Sequence, residues 1–375
     1  MTVRIAKQPI DLRSKLSELE RPIGLKGSEL MRAETAQDAR DFISAGRKNM
    51  IINGDMRVFQ RNNAGNVPNF GTYFVDRFQA RNNTAGTLYM TQQSNSSGGP
   101  PGFRSWLLAQ CNGADTSVGS GDYARIQHYI EGYNCFMDWG YGNTDYVTAS
   151  FWVKSNKPGI YCFQIEEGTG ALPLYSQEYV IERSDVWQKV ALTMPPPPSG
   201  TWRGADSGLG ARLTWTLMAG SGHPTTANVW QTSYGMRTNN QVNFMDDANN
   251  NFYLTGVQLE VGKNATEFEH RSYAEELALC QRYYFKSLAT RQSILYKGPL
   301  WETNWYAFPV EMRANPTLAG GSWFLRNPGS NTNISYSGFT NTIFRTGFYI
   351  TSTTTNTNTF QCWFNDAPLS ADAEL

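Results

Sequence analysis

The chain has 375 residues, of which 40% are hydrophobic, 13% aromatic and only 17% charged, with 32 Lys and Arg balanced by 32 Asp and Glu. That length can bury a sizeable core, and zero net charge excludes the general electrostatic affinity of a basic protein for nucleic acid or an anionic membrane. No apolar run reaches bilayer-spanning length, so membrane insertion is not expected, and five widely separated cysteines without CxxC spacing read as buried thiols rather than zinc ligands.

Residues 1–48 differ in kind from the rest. Met1 to Asp11 lacks the apolar core of a signal peptide, so synthesis in a cytoplasm is expected. Leu12, Leu16, Leu19 and Ile23 follow the four-three-four spacing of a helical seam, with Pro22 as a breaker. A second short helix is signalled by Thr35 as N-cap, by Ala36, Ala39, Phe42 and Ile43 along one side, and by Gly46 beyond its end. Such short helices need a partner to be stable, so the segment is expected to dock on copies of itself or on another protein. Its ten Lys and Arg against seven Asp and Glu make it mildly basic.

From Asn49 to Arg271 the pattern is period-two strands with turn punctuation. The expected strands are Met50 to Phe59, Gly86 to Gln93, Phe103 to Cys111, Tyr123 to Ile130, Tyr146 to Lys154, Ile160 to Glu166, Glu178 to Glu182, Trp187 to Met194, Leu213 to Met218 and Phe252 to Val261. In the fifth, Val147, Ala149, Phe151 and Val153 share one face, an alternation that fixes register. So many strands without a helical period between them predict a mainly β protein built on a two-sheet sandwich.

Long polar loops interrupt these strands, one of them carrying the stiff run Pro195 to Pro198. Three loops place aromatics beside Gly, Asn or Asp: Trp139 and Tyr141, Trp202 and Arg203, Trp230 and Tyr234. An aromatic plate next to amides and carboxylates is the physical recipe for a pyranose site, so these six residues are the glycan-binding candidates. Asp246 and Asp247, near Asn249, Asn250 and Asn251, offer hard oxygen ligands, so a structural calcium is conceivable although no cofactor is expected.

The strand ending in Val257, Leu259 and Val261 runs straight into a helical pattern at Tyr273 to Phe285, with Ala274, Leu277, Ala278, Cys280 and Tyr284 on one side. Residues 287 to 375 read as a smaller β-rich region, with strands at Trp305 to Val310, Ser322 to Leu325, Ile343 to Ile350 and Thr359 to Phe364. The expected organisation is therefore an N-terminal helical arm (1–48), a sandwich (49–271), a connecting helix (272–286) and a C-terminal β-rich region (287–375).

Catalytic patterns are scarce. His128, His223 and His270 are the whole histidine complement, and no GxSxG, phosphate loop or HExxH occurs. Glu166 and Glu167 are adjacent on a strand and face opposite sides, so they cannot flank one glycosidic bond. No catalytic residue is expected.

Two segments carry a family resemblance: AQDARDFISAGRKNMIINGDMRVFQR at Ala36 to Arg61, and FYLTGVQLEVGKNATEFEHRSYAEELALCQRYYF at Phe252 to Phe285. Both resemble bacteriophage tail-fibre and related virion fibre proteins with a carbohydrate-binding-module-like domain. In those, a short helix leads into an "N.IINGDF..WQR" first strand, and a "QLE.G..AT.FE.R" strand leads into an "EL..CQRYY" helix. Met56 and Phe59 replace the two usual aromatics of the first motif. The resemblance implies a jelly-roll β-sandwich in a homotrimeric, non-enzymatic fibre of a tailed phage. It would be assembled in the host cytoplasm, docked to other virion proteins through the N-terminal arm, and adhere to host surface polysaccharide. A capsid fibre or tail adaptor without a receptor role is the structural alternative, and a glycan depolymerase the enzymatic one.

Overall fold

The computed structural model describes residues 48–375 apart from 96, 141–143, 169–172, 200, 201, 203, 205, 288–292, 298–301, 320–322, 327–332, 335–338, 353–358 and 365–368. The N-terminal arm, with Leu12, Leu16, Leu19 and Ile23, lies outside the described residues.

Thirteen strands among the described residues form the sandwich: β1 (Gly65–Asn66), β2 (Thr72–Val75), β3 (Phe78–Asn83), β4 (Thr87–Ser94), β5 (Ser105–Gly113), β6 (Tyr123–Glu131), β7 (Val147–Ser155), β8 (Gly159–Glu167), β9 (Leu174–Ile181), β10 (Gln188–Met194), β11 (Leu209–Ala219), β12 (Trp230–Gln231) and β13 (Asn251–Val261). One sheet has the order β1-β4-β5-β13-β7-β10, and the facing sheet β12-β9-β8-β11-β6-β3-β2. Late strands β13 and β11 sit between earlier ones, the crossover pattern of a jelly-roll sandwich rather than a meander. The alternation in β7 comes out as expected: Val147, Ala149, Phe151 and Val153 are at most 1% exposed. Between the sheets Phe151, Phe163 and Trp215 meet at centroid distances of 5.2–5.7 Å in tilted or edge-on geometry.

Met50 to Phe59 is not the strand that its apolar run predicts. It is an irregular buried segment in which Asn53 and Met56 adopt positive φ, and Met50, Ile51, Ile52, Met56 and Val58 are all buried. Side chains replace the missing ladder. Asn49 Oδ1 accepts from the Ile51 and Leu259 amides, Asn53 Oδ1 accepts from the Val58 amide, and Glu276 Oε1 accepts from the Asn53 amide. Arg271 donates to the Asn49 and Ile51 carbonyls, while Glu269 accepts from the Asn49 amide at 2.6 Å. On β13, Gln258 and Glu260 bind the returning chain at Glu269 and Thr266. The two motif segments, some 200 residues apart in sequence, thus interlock in one hydrogen-bonded knot. Gly256 (φ +61°) breaks the period of β13, because a side chain there would collide with Phe103 and Trp152.

The connecting helix α1 spans Tyr273–Gln281, capped by Ser272 accepting from the Glu275 amide. It stops short of the expected Phe285, because Tyr284–Lys286 (β14) pairs with Ser370–Asp372. Its buried side is Glu276 and Cys280, with Leu277 half-buried against Ile52, Val58 and Tyr283, whereas Ala274 faces solvent. Cys111, Cys135, Cys162 and Cys280 are buried free thiols. In the C-terminal region Thr359–Phe364 is a strand as expected, while the expected strand Ile343 to Ile350 is split by a turn at Arg345 and Thr346 between the hairpin strands Phe339–Phe344 and Gly347–Ser352. Phe308, Met312, Phe348, Leu369, Ala371 and Ala373 form a second small core.

His128 belongs to the sandwich interior, stacked on Phe78 at 4.7 Å with Nδ1 3.3 Å from the Arg77 carbonyl. Burial first, and the Arg77 charge second, hold its pKa well below the usual value. The unfolded chain therefore takes up a proton below pH about 6.5 that the native state refuses, so acidification removes stability. Asp76, raised by burial to about 6, has the opposite sign, because below that value its native form holds the extra proton. His128→Phe should flatten the loss of stability between pH 6.5 and 4, by up to about 1.4 kcal/mol per pH unit. Urea unfolding across that range measures the slope, and an unchanged slope would exclude His128 as its source.

Candidate functional site on the outer face of the seven-stranded sheet

The structure brings the three candidate tryptophans together, but not as sugar plates. Trp139 and Trp202 are 0% and 1% exposed and Trp230 is half-buried. Their rings meet edge-on at 5.0, 5.7 and 5.9 Å. Trp139 Nε1 donates to the Asp145 carbonyl, and Trp230 Nε1 donates to the Pro195 carbonyl at the start of the proline run. An indole offers more apolar area than any other side chain, and segments from three separate parts of the chain are fastened to the core effectively by packing indoles on each other. Tyr141 and Arg203 lie outside the described residues. The calcium candidates are also committed: Asp246 pairs with Lys157 and accepts from Asn250, and Asp247 accepts from the Asn249 amide and side chain.

Among the described candidates Tyr234 is the one most open to solvent, 43% exposed. It sits in the loop between β12 and β13, and its hydroxyl accepts from Arg125 on β6. His223 lies edge-on to both Tyr234 (6.1 Å) and Tyr123 (5.7 Å), and the Arg125 guanidinium lies 4.8 Å from the Tyr123 ring centre. These groups mark the rim of a face that sequence reading missed. Strand alternation sends Phe78, Ala80, Ala124, Ile126, Leu213, Trp215, Phe163 and Ile165 inward. Their neighbours Gln79, Arg81, Arg125, Gln127, Tyr129, Arg212, Thr214, Gln164 and Glu166 therefore point outward.

Register aligns this face into rows. Tyr73 pairs with Gln79, Gln79 with Gln127, Gln127 with Thr214, Thr214 with Gln164, and Gln164 with Ser176. The row is stitched by side chains: Gln79 Nε2 donates to Tyr73 Oη, Gln127 Nε2 to Thr214 Oγ1, and Gln164 Nε2 to Ser176 Oγ and the Gly235 carbonyl. In the next row Arg212 pairs with Glu166 and lies over the Tyr129 ring. This floor is nearly closed to solvent, and Arg81, Arg212, Tyr123, His223 and Tyr234 reach it. At another edge Gly71 passes so close to the Gln79 amide that a Cβ would overlap it, and the preceding Phe70 is 68% exposed. A ligand at this face would meet the partly exposed groups Arg81, Arg212, Tyr123, His223 and Tyr234, held in place by the buried floor beneath them.

No family model matches this chain, and no curated protein is similar to it. Solved structures with a similar fold include a family 11 carbohydrate-binding module from Clostridium thermocellum in complex with a β-1,3-1,4-mixed-linked tetrasaccharide, at 11% identity and a TM-score of 0.27 over 55% of this chain and 98% of that one. Another is TmCBM61 in complex with β-1,4-galactotriose, at 7% identity and a TM-score of 0.28 over 58% of this chain and 100% of that one. A family 30 carbohydrate-binding module shows 10% identity and a TM-score of 0.26 over 57% and 95% of the two chains. Similarity of this size transfers no ligand.

Proposed function

We propose that this chain is a glycan-binding, non-enzymatic component of a tailed-phage fibre, a homotrimer held to the particle through residues 1–48 that grips host surface polysaccharide with the outer face of its seven-stranded sheet. The observation that carries the binding reading is the exposed Tyr234 ring in its fixed setting of Arg125, Tyr123 and His223. A pyranose presents one apolar face and a belt of hydroxyls, which an exposed aromatic ring beside guanidinium donors complements. Binding is favoured over hydrolysis because Glu166, the carboxylate in the middle of this face, is committed to Arg212. The virion and trimer parts rest on the resemblance of the Ala36 to Arg61 and Phe252 to Phe285 segments to fibre proteins. Three copies would raise a weak single contact into useful avidity.

Tyr234→Ala should lower the affinity of the purified protein for host envelope polysaccharide by about tenfold, or ~1.4 kcal/mol, with an unchanged melting temperature. Calorimetric titration measures it. Full retention of affinity would remove this face from the function.

A further inference from the structure

Two cations stand side by side on the outer face, and no carboxylate among the described residues neutralises them. Arg81 of β3 and Arg125 of β6 are direct cross-strand partners. Like charges directly opposite each other in an antiparallel pair are destabilising. Arg125 is only 6% exposed, and its contacts are the Tyr234 hydroxyl, the Met236 sulfur and the Tyr123 ring, none of them anionic. Nε of both guanidiniums is buried without a hydrogen-bond acceptor, and no carboxylate among the described residues pairs with either. The carboxylates of the neighbouring strands are engaged elsewhere: Glu166 with Arg212, Glu178 with Asn240, and Glu131 with Arg282 and Tyr283. A buried guanidinium usually has an anion, and among the described residues neither Arg81 nor Arg125 has one.

We propose that Arg81 and Arg125 form a subsite for the carboxylate of an acidic polysaccharide, so that the glycan bound by this face is one built on uronic or similar acid sugars. The inference rests on the glycan-binding reading and narrows its ligand class. A guanidinium fork matches a planar carboxylate in two parallel hydrogen bonds, while Tyr234, Tyr123 and His223 offer ring surfaces to the sugar that carries it.

The test uses polygalacturonate, fully methyl-esterified polygalacturonate, dextran sulfate and a neutral mixed-linked β-glucan, titrated into the full chain. Polygalacturonate should bind at least tenfold more tightly than its methyl ester. Arg81→Gln, at a half-exposed position, should remove that preference with an unchanged melting temperature, and Arg125→Lys should weaken it. Tighter binding of the neutral glucan or the ester, or a preference that survives Arg81→Gln, would overturn the acidic-ligand proposal and leave the glycan reading in place. Equal affinity for dextran sulfate would replace carboxylate recognition by charge attraction alone and so overturn it too. Failure of every polymer to bind would overturn both readings.

Discussion

Trp139→Ala should destabilise the protein by about 3–5 kcal/mol, the cost of deleting a fully buried large aromatic. The tryptophan is 0% exposed, and its loss takes away the edge-on contacts to Trp202 and Trp230 together with the donor to the Asp145 carbonyl. Trp202→Ala should cost a similar amount, and the double variant less than the sum, because each indole is a wall of the other's site. Urea unfolding followed by tryptophan fluorescence measures all three. A midpoint equal to wild type would mean that the indoles are surface groups after all, and would restore them as sugar plates.

The second large effect is expected at Arg77. Its guanidinium is fully buried, pairs with Glu374, donates to the Tyr129 carbonyl and lies 3.5 Å from the centre of the Tyr283 ring. Glu374 also pairs with Arg61, and Arg313 donates to the carbonyls of Ala373 and Glu374. The last residues of the chain are thereby held against β2 and β3. Arg77→Leu removes the cation and leaves the Glu374 carboxylate nearly buried with one partner fewer, at a cost of about 3–5 kcal/mol. Pairing Arg77→Leu with Glu374→Leu should recover part of that loss, since the orphaned charge is then gone as well. If the single variant melts like wild type, water or Arg61 alone is sufficient to satisfy Glu374.

Local pattern by itself determined most strands of the sandwich. Where apolar and polar residues alternate, as in Val147 to Val153, one face has to enter a core, and period and register follow from that requirement alone. The same logic misled at Met50 to Phe59, where Met50, Ile51, Ile52, Met56 and Val58 are all buried and the backbone is satisfied by Asn49, Asn53, Glu276 and Arg271. Those partners lie far apart in sequence, so no local period announces them. The short strands β2 and β3 were missed for a related reason: Gln79, Arg81 and Asn83 make β3 look like a polar loop until its partner β6 is in place.

The candidate site divides in the same way. Composition and loop position singled out Tyr234 and the three tryptophans. Whether an indole faces water or its neighbours depends on how three separate segments converge, and only the tertiary structure decided that Trp139 and Trp202 join the core. The polar face of the seven-stranded sheet was equally invisible, because Gln79, Gln127, Thr214 and Gln164 come from four strands and become a row only through antiparallel register. Sequence fixes which residues share one side of a strand, since the side-chain period is two. Which strands lie next to each other, and so which outward groups become a site, is set by long-range pairing.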